Sequence, residues 1–161
     1  MDNAALVRRF YSAFAELDAD TMQTCYATDA TFDDEAFALR GSDEIGAMWR
    51  MLCEATLANG KDVWQLEFGA IEADRSHGSA HWEARYRFGG AGGRIVLNHI
   101  DASFEFRDGL IAVHRDHFDF WRWSRQALGA PGLLLGWTPF LRTKVRTQAA
   151  ARLQSWRARR A

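Results

Sequence analysis

Four polar side chains interrupt otherwise apolar positions: Asp34, Asn98, His114 and Asp116. Asn98 falls in phase with Val96, Ile100, Ala102, Phe104 and Phe106 at every second residue. His114 and Asp116 are two apart in the following run, and Asp34 comes two residues after Phe32. A buried carboxylate is costly unless it is paired, hydrogen-bonded or neutral. Two carboxylates and an imidazole in an apolar hollow are the components of general acid–base chemistry. Desolvation can lift one carboxyl toward neutrality so that it acts as an acid, while a more polar neighbour remains a base. Asp34 is the expected base, Asp116 and His114 the proton donor or orienting pair, and Asn98 a hydrogen-bond donor to a ligand. A purely structural reading is equally open, in which His114 and Asp116 bond one another, Arg50 or the backbone at a strand end. Trp49, Trp64, Trp82, Phe104 and Phe118 are the expected apolar contacts of a ligand, in a chain carrying seven Trp and eleven Phe.

The elements that must position these residues follow from periodicity. Leu6, Val7, Phe10, Phe14 and Leu17 share one face of a helix predicted over 4–17. A short helix follows Asp18 or Asp20, either of which can cap it, and runs through Met22 and Tyr26. Residues 30–37 read as a short strand entering a loop. Gly41-Ser42-Asp43-Glu44 then opens a third helix whose buried stripe is Ile45, Met48, Trp49 and Leu52. Beyond Gly60 the period changes from 3.6 to 2, which predicts strands at about 62–74, 79–89, 94–107 and 110–123. Trp64, Leu66, Phe68 and Ala70 share a face in the first of these; Ala80, Trp82, Ala84, Tyr86 and Phe88 do so in the second. The hairpin at Asp108-Gly109 admits two registers. A three-residue loop pairing Phe106 with Leu110 is preferred, because a two-residue turn puts Arg107 and Leu110 on one face and would bury Arg107. The expected fold is α+β, with helices on one face of a curved antiparallel sheet.

Composition bounds the function. Forty-eight per cent apolar and 25% charged residues describe a globular chain, and 161 residues favour one domain. Two cysteines, Cys25 and Cys53, make neither a disulfide scaffold nor a zinc site, so a reducing, cytoplasmic setting is expected. No cofactor and no metal is expected. His81, His99 and His117 lie on the polar outer face without tight ligand spacing. Gly89 to Gly93 joins two strands and opens no helix, so it is no phosphate cradle. The net charge of −1 hides a division. All 21 acidic residues lie at or before Asp119, against eleven Lys and Arg there; the last 42 residues carry nine basic residues and no acid.

The segments LVRRFYSAFAELDADTMQTCYATDATFDD, GSDEIGAMW and IAVHRDHFDFW together resemble the nuclear transport factor 2-like superfamily. That group includes SnoaL-type polyketide cyclases, ketosteroid isomerases and limonene epoxide hydrolases. The resemblance spans about residues 4–121 and implies a cone-shaped sheet wrapped by helices around an apolar pocket. It implies a small apolar ligand of steroid, terpenoid or polyketide type, with isomerase, cyclase or hydrolase chemistry, or a binding or assembly module without catalysis. By position, Asp34 matches the aspartate base of the isomerases and Asp116 a carboxylate of the epoxide hydrolases. Phe10 stands at the isomerases' oxyanion tyrosine, with Tyr11 beside it. Their second, protonated aspartate matches Ala102, or Asp101 after a shift of one. The hydrolases' arginine and its partner aspartate match Trp82 and Ala84, so that set is missing. Superfamily members often dimerise through the outer sheet face, here carrying His81, Arg85, His99, Asp101 and His117.

Residues 1–123 thus form the expected cone, and 124–161 an extension to it. Gly132-Leu-Leu-Leu-Gly136-Trp137 is an apolar hook. Thr138-Pro139 is a cap with proline at the first helical position. Leu141, Val145, Ala149, Leu153 and Trp156 then form the apolar stripe of a basic helix. Trp121 and Trp123 are expected to anchor this tail. Docking on the acidic body or a partner subunit is the first expectation, and peripheral contact with an anionic membrane the second. Nucleic acid is excluded by the acidic body.

Overall fold

The computed structural model describes residues 2–161. Asp2 caps α1 (Asn3–Ala15) by accepting the Ala5 N–H at 2.6 Å, and Leu6, Val7, Phe10, Tyr11 and Phe14 form its buried face. The helix ends before Leu17, whose positive φ of 59° turns the chain. Asp18, and not Asp20, caps α2 (Ala19–Thr24). Tyr26 does not continue that helix: it opens β1 (Tyr26–Asp33), four residues earlier than the sequence pattern indicates. β2 (Ala38–Arg40) and α3 (Ser42–Asn59) follow, with Ile45, Met48 and Trp49 buried and Leu52 half-buried.

Strands β3 (Gln65–Ala73), β4 (His77–Phe88), β5 (Arg94–Arg107) and β6 (Leu110–His117) complete a sheet of order β2-β1-β6-β5-β4-β3. All neighbours are antiparallel except β1 and β6, which pair in parallel. The sheet is curved and unclosed, and α1 and α3 cover its inner face.

Three local expectations are corrected. In β3 the register shifts between Gly69 and Glu72, with Ala70 at φ 49°; the bulge turns Ala70 out and packs Ile71 against the core. The last hairpin is the two-residue turn: Arg107 pairs with Leu110, and Asp108 and Gly109 both have positive φ. Arg107 is nevertheless exposed and reaches Asp29. One extra residue in β6, Ala112, shifts the register between Glu105 and Phe106 and puts Ile111, His114 and Asp116 inside. β6 also stops at His117, because Asp119 accepts the Arg122 N–H and caps α4 (Phe120–Leu128). Past that end the Gln126 amide bonds both Leu97 N and Leu97 O, completing the edge that β6 leaves open.

A six-residue helix, α5 (Ala130–Leu135), leads to α6 (Pro139–Ala158), which Thr138 caps through Leu141 N. α6 lies on the body. Leu141, Leu153 and Trp156 are buried, and Val145 and Ala149 pack beside them. Arg142 pairs with Glu35 at 2.6 Å, Arg157 with Glu44 at 3.7 Å and Arg160 with Glu54 at 2.5 Å. Trp156 Nε1 donates to Glu54 at 3.1 Å. The basic tail is thus held by carboxylates of the acidic body.

Candidate functional site

The inner face of the sheet, α3 and the tail enclose a cavity of about 610 Å³. Asp34, Asn98 and Asp116 all line it, with Trp49, Trp64, Trp82 and Phe118. The two carboxylates therefore reach one space, although they come from β6 and from the loop after β1. Two expected residues do not reach it. Phe104 is buried in the core, stacked on Phe106 and edge-on to Tyr11. His114 is fully buried behind Asp116 and does not line the cavity.

Asp34 is held by its own loop. Its Oδ1 accepts the N–H groups of Ala36 at 2.7 Å and Phe37 at 2.6 Å, which leaves Oδ2 free. Arg146 of α6 donates to its main-chain carbonyl at 2.9 Å. Desolvation pushes the Asp34 carboxyl up to about 7 and outweighs the two N–H donors; the negative Asp116 adds to the rise, and Arg146 opposes it. This carboxyl exchanges its proton near neutral pH.

Asp116 ends a hydrogen-bonded chain. Trp49 Nε1 donates to Tyr26 Oη at 3.1 Å, Tyr26 Oη lies 2.7 Å from His114 Nδ1, and His114 Nε2 lies 2.9 Å from Asp116 Oδ1. Tyr26 already accepts from Trp49, so its own proton has His114 Nδ1 as acceptor. Nε2 then carries the imidazole proton and donates to Asp116. Trp82 Nε1 reaches the same carboxylate oxygen at 3.5 Å. Arg50, an alternative partner from the sequence, instead bonds Asp20 on the surface. Tyr26 is the member that the sequence pattern does not mark, because its spacing from Met22 reads as the end of a helix. Tyr26→Phe should strand two buried groups, the imidazole Nδ1 and the Trp49 N–H, each worth about 1–3 kcal/mol. Urea unfolding should show a loss of roughly 2–6 kcal/mol without a change in slope. A loss below about 0.5 kcal/mol would mean that the hydroxyl bridges nothing.

The four indoles of the cavity wall spend their N–H groups within the protein: Trp49 on Tyr26, Trp64 on Ala15 O, Trp82 on Asp116 and Trp123 on Tyr86 Oη. They offer a ligand only carbon surface. Polar recognition deep in the cavity is left to Asp34, Asn98, Asp116 and Tyr86, whose hydroxyl accepts from Trp123 and keeps its own proton to donate; Lys144, Gln148 and Arg152 line its solvent-exposed side. These last three belong to α6, together with Leu141, Val145 and Ala149. The tail is a cavity wall, which its amphipathic pattern alone does not reveal.

Positions marked by the family resemblance sort clearly. Asp101 pairs with His117 across the strands and bonds His81 on the outer face, while Ala102 faces inward opposite Asp116. Neither supplies a second acid to the cavity. Phe10 is ringed by Tyr26, Trp49 and His114. The Tyr11 hydroxyl is buried with no partner among the described residues. Outside, His81, Glu83 and His99 hold ligand atoms within 4.8 Å of one another. These atoms are already bonded: Glu83 Oε1 lies 2.8 Å from His99 Nδ1 and 3.3 Å from His81 Nε2, and Asp101 takes His81 Nδ1 at 2.9 Å. The cluster is complete as a cross-strand network.

Residues 7–114 match the model of the SnoaL-like domain, about two thirds of the chain, and the match stops short of α4–α6. No curated protein matches the sequence. Among solved structures, a candidate polyketide cyclase from Xanthomonas campestris pv. campestris superposes with a TM-score of 0.61 at 20% identity, over 77% of this chain and 96% of that one. An LEH-like epoxide hydrolase from M. tuberculosis gives 0.63 at 21%, over 82% and 92%. A hypothetical protein of ketosteroid isomerase-like fold from Catenulispora acidiphila gives 0.62 at 18%, over 83% and 97%. These three share the fold with this chain. The chain belongs to the SnoaL-like domain family.

Proposed function

We propose that this SnoaL-like protein binds a small, mainly apolar molecule of steroid, terpenoid or polyketide size and moves a proton on it. A cavity of this volume suits such a ligand. The observation that carries the reading is Asp34: a carboxyl with one oxygen unbonded, poised near pH 7, facing the same space as Asp116. In the ionised form Asp34 Oδ2 takes a proton from carbon beside a ligand carbonyl, or from an oxygen during ring opening or closure. Asn98 donates a hydrogen bond to the ligand oxygen. Protonated Asp34 then gives the proton back at another atom of the ligand, or passes it to the Asp116 carboxylate, which His114 and Tyr26 orient and which delivers it. A second reading, binding without turnover, is favoured by one feature: Asp101 points away from the cavity, so no second carboxylic acid supports an oxyanion from β5. Homodimerisation through the outer face belongs to the same proposal and is read as a doubled mass in light scattering.

The test is a thermal-shift panel of steroid, terpenoid and polyketide-like compounds, followed by mass spectrometry of any compound that binds. Asp34→Asn should keep the thermal shift and lower turnover by roughly 100- to 10,000-fold, because an amide takes no proton at neutral pH. Binding with no conversion by the unaltered protein would select the second reading. Conversion at full rate by the Asn variant would remove Asp34 from the chemistry.

A further inference from the structure

The apolar stripe of α6 is buried on the body, so it is not free to meet a membrane. A different surface is free. Leu133 is 52% exposed, Leu134 67%, Leu135 41%, Trp137 73% and Phe140 68%, all within eight positions. We propose that this hook docks the protein on an anionic lipid bilayer.

The hook is built to face outward. Its two glycines turn to the body, where nothing larger fits. A Cβ on Gly132 would lie 1.9 Å from the Ser124 carbonyl oxygen, and one on Gly136 2.0 Å from Ser124 Oγ. With the small residues clamped inside, the leucines and Trp137 have only the outside. The last turn of a short helix normally turns its free carbonyls to water. Here each finds a donor in the chain. Gly132 O takes Gly136 N–H at 2.9 Å, Leu133 O takes Trp121 Nε1 at 3.2 Å and Leu134 O takes Trp137 Nε1 at 3.0 Å. Leu135 O takes both the N–H and the hydroxyl of Thr138. A helix end whose polar groups are satisfied internally can enter an apolar medium.

Charge selects the medium. Residues 120–161 contain no Asp or Glu. Trp121, bonded to Leu133 O of the hook, carries Arg125 stacked at 4.4 Å, and Arg122 of α4 and Lys144 of α6 are exposed with no carboxylate in ion-pair range among the described residues. A second copy docked hook to hook would bring these like charges together, whereas anionic headgroups would complement them. No helix among the described residues is long and apolar enough to cross a membrane, so the contact is interfacial. Pro131 of α5 and Leu141 and Lys144 of α6, which flank the exposed residues of the hook in sequence, line the cavity, which would place that wall toward the lipid. The docking itself does not depend on what the cavity binds.

Flotation of the full chain with vesicles of phosphatidylcholine containing phosphatidylglycerol, and with phosphatidylcholine alone, tests this. The protein should float with the anionic vesicles and bind the neutral ones roughly tenfold or more weakly. Binding should fall again at about 0.5 M salt, where headgroup attraction is screened. Leu134→Glu with Phe140→Ala should weaken binding at least about tenfold while leaving the melting temperature unchanged, because both side chains are exposed and neither makes a hydrogen bond. Absence from the anionic fraction would overturn the proposal, as would equal binding to neutral vesicles or undiminished binding by the double variant. A dimer in light scattering that this variant dissociates would assign the hook to a second copy and overturn it as well.

Discussion

Asp34→Asn should raise the melting temperature at pH 8 and leave it nearly unchanged at pH 4. The reason is the folded-state carboxyl, raised from 3.8 to about 7 chiefly by desolvation. At pH 4 the folded carboxyl is protonated and the unfolded one about half so, so the group contributes little. Between about 4 and 7 the unfolded chain has lost the proton while the folded chain keeps it. The folded state binds more protons, and its stability falls as pH rises through this window. Above about 7 both states are ionised and the penalty is constant. At 1.36 kcal/mol for each pH unit, the full loss is about 4 kcal/mol. For a domain of this size that is roughly 10 °C. An asparagine can keep the hydrogen bonds from Ala36 and Phe37 through its carbonyl oxygen and carries no charge to desolvate. The measurement is melting temperature against pH for both proteins. Their difference should open between pH 4 and 7 and then level. Parallel curves would show that Asp34 ionises freely, and the proposed base would lose its tuning.

Truncation after Ala130 should abolish cooperative unfolding or lower the melting temperature by tens of degrees. It removes Leu141, Leu153 and Trp156, each buried on the body and each worth roughly 1.5–3 kcal/mol. Their sum is comparable with the whole stability of an ordinary domain. It also opens the cavity along α6 and leaves Glu35, Glu44 and Glu54 without their arginine partners. Those exposed ion pairs add little by comparison. Leu153→Ala is the milder form of the experiment. It should cost about 2–5 kcal/mol in urea unfolding and keep the rest of the helix. An unchanged melting temperature in the truncated chain would mean that α6 is not part of the folded unit.

The fold was legible wherever a period ran long enough to define a face. α1, α3, β4 and β5 follow their apolar patterns, and Thr138-Pro139 begins α6 as capping chemistry requires. The misreadings sit at interruptions of a period. One residue too many, Ala112 or the bulge after Gly69, reverses every later side chain without altering composition. The alternation of β5 keeps Arg107 outside even with a two-residue turn, and the bulge then restores the apolar phase of β6. Trp121 and Trp123 continued an aromatic run that looked like strand; Asp119 ended the strand by capping a helix instead.

By itself the sequence determined the α+β architecture, the apolar character of the inner face and the identity of its polar interruptions, because burial periodicity is a local property. Asp34, Asn98 and Asp116 could be named for that reason. Only the tertiary structure decided that they share one cavity, since β1 reaches β6 through a parallel pairing across about eighty residues. It alone placed His114 behind Asp116 and Tyr26 behind His114, because that chain joins a strand start to a strand end. It alone turned α6 into a cavity wall and left the hook outside. An amphipathic stripe states that a face will be buried and not against what. The clamping of Gly132 and Gly136 on Ser124 depends on contacts that no spacing along the chain encodes.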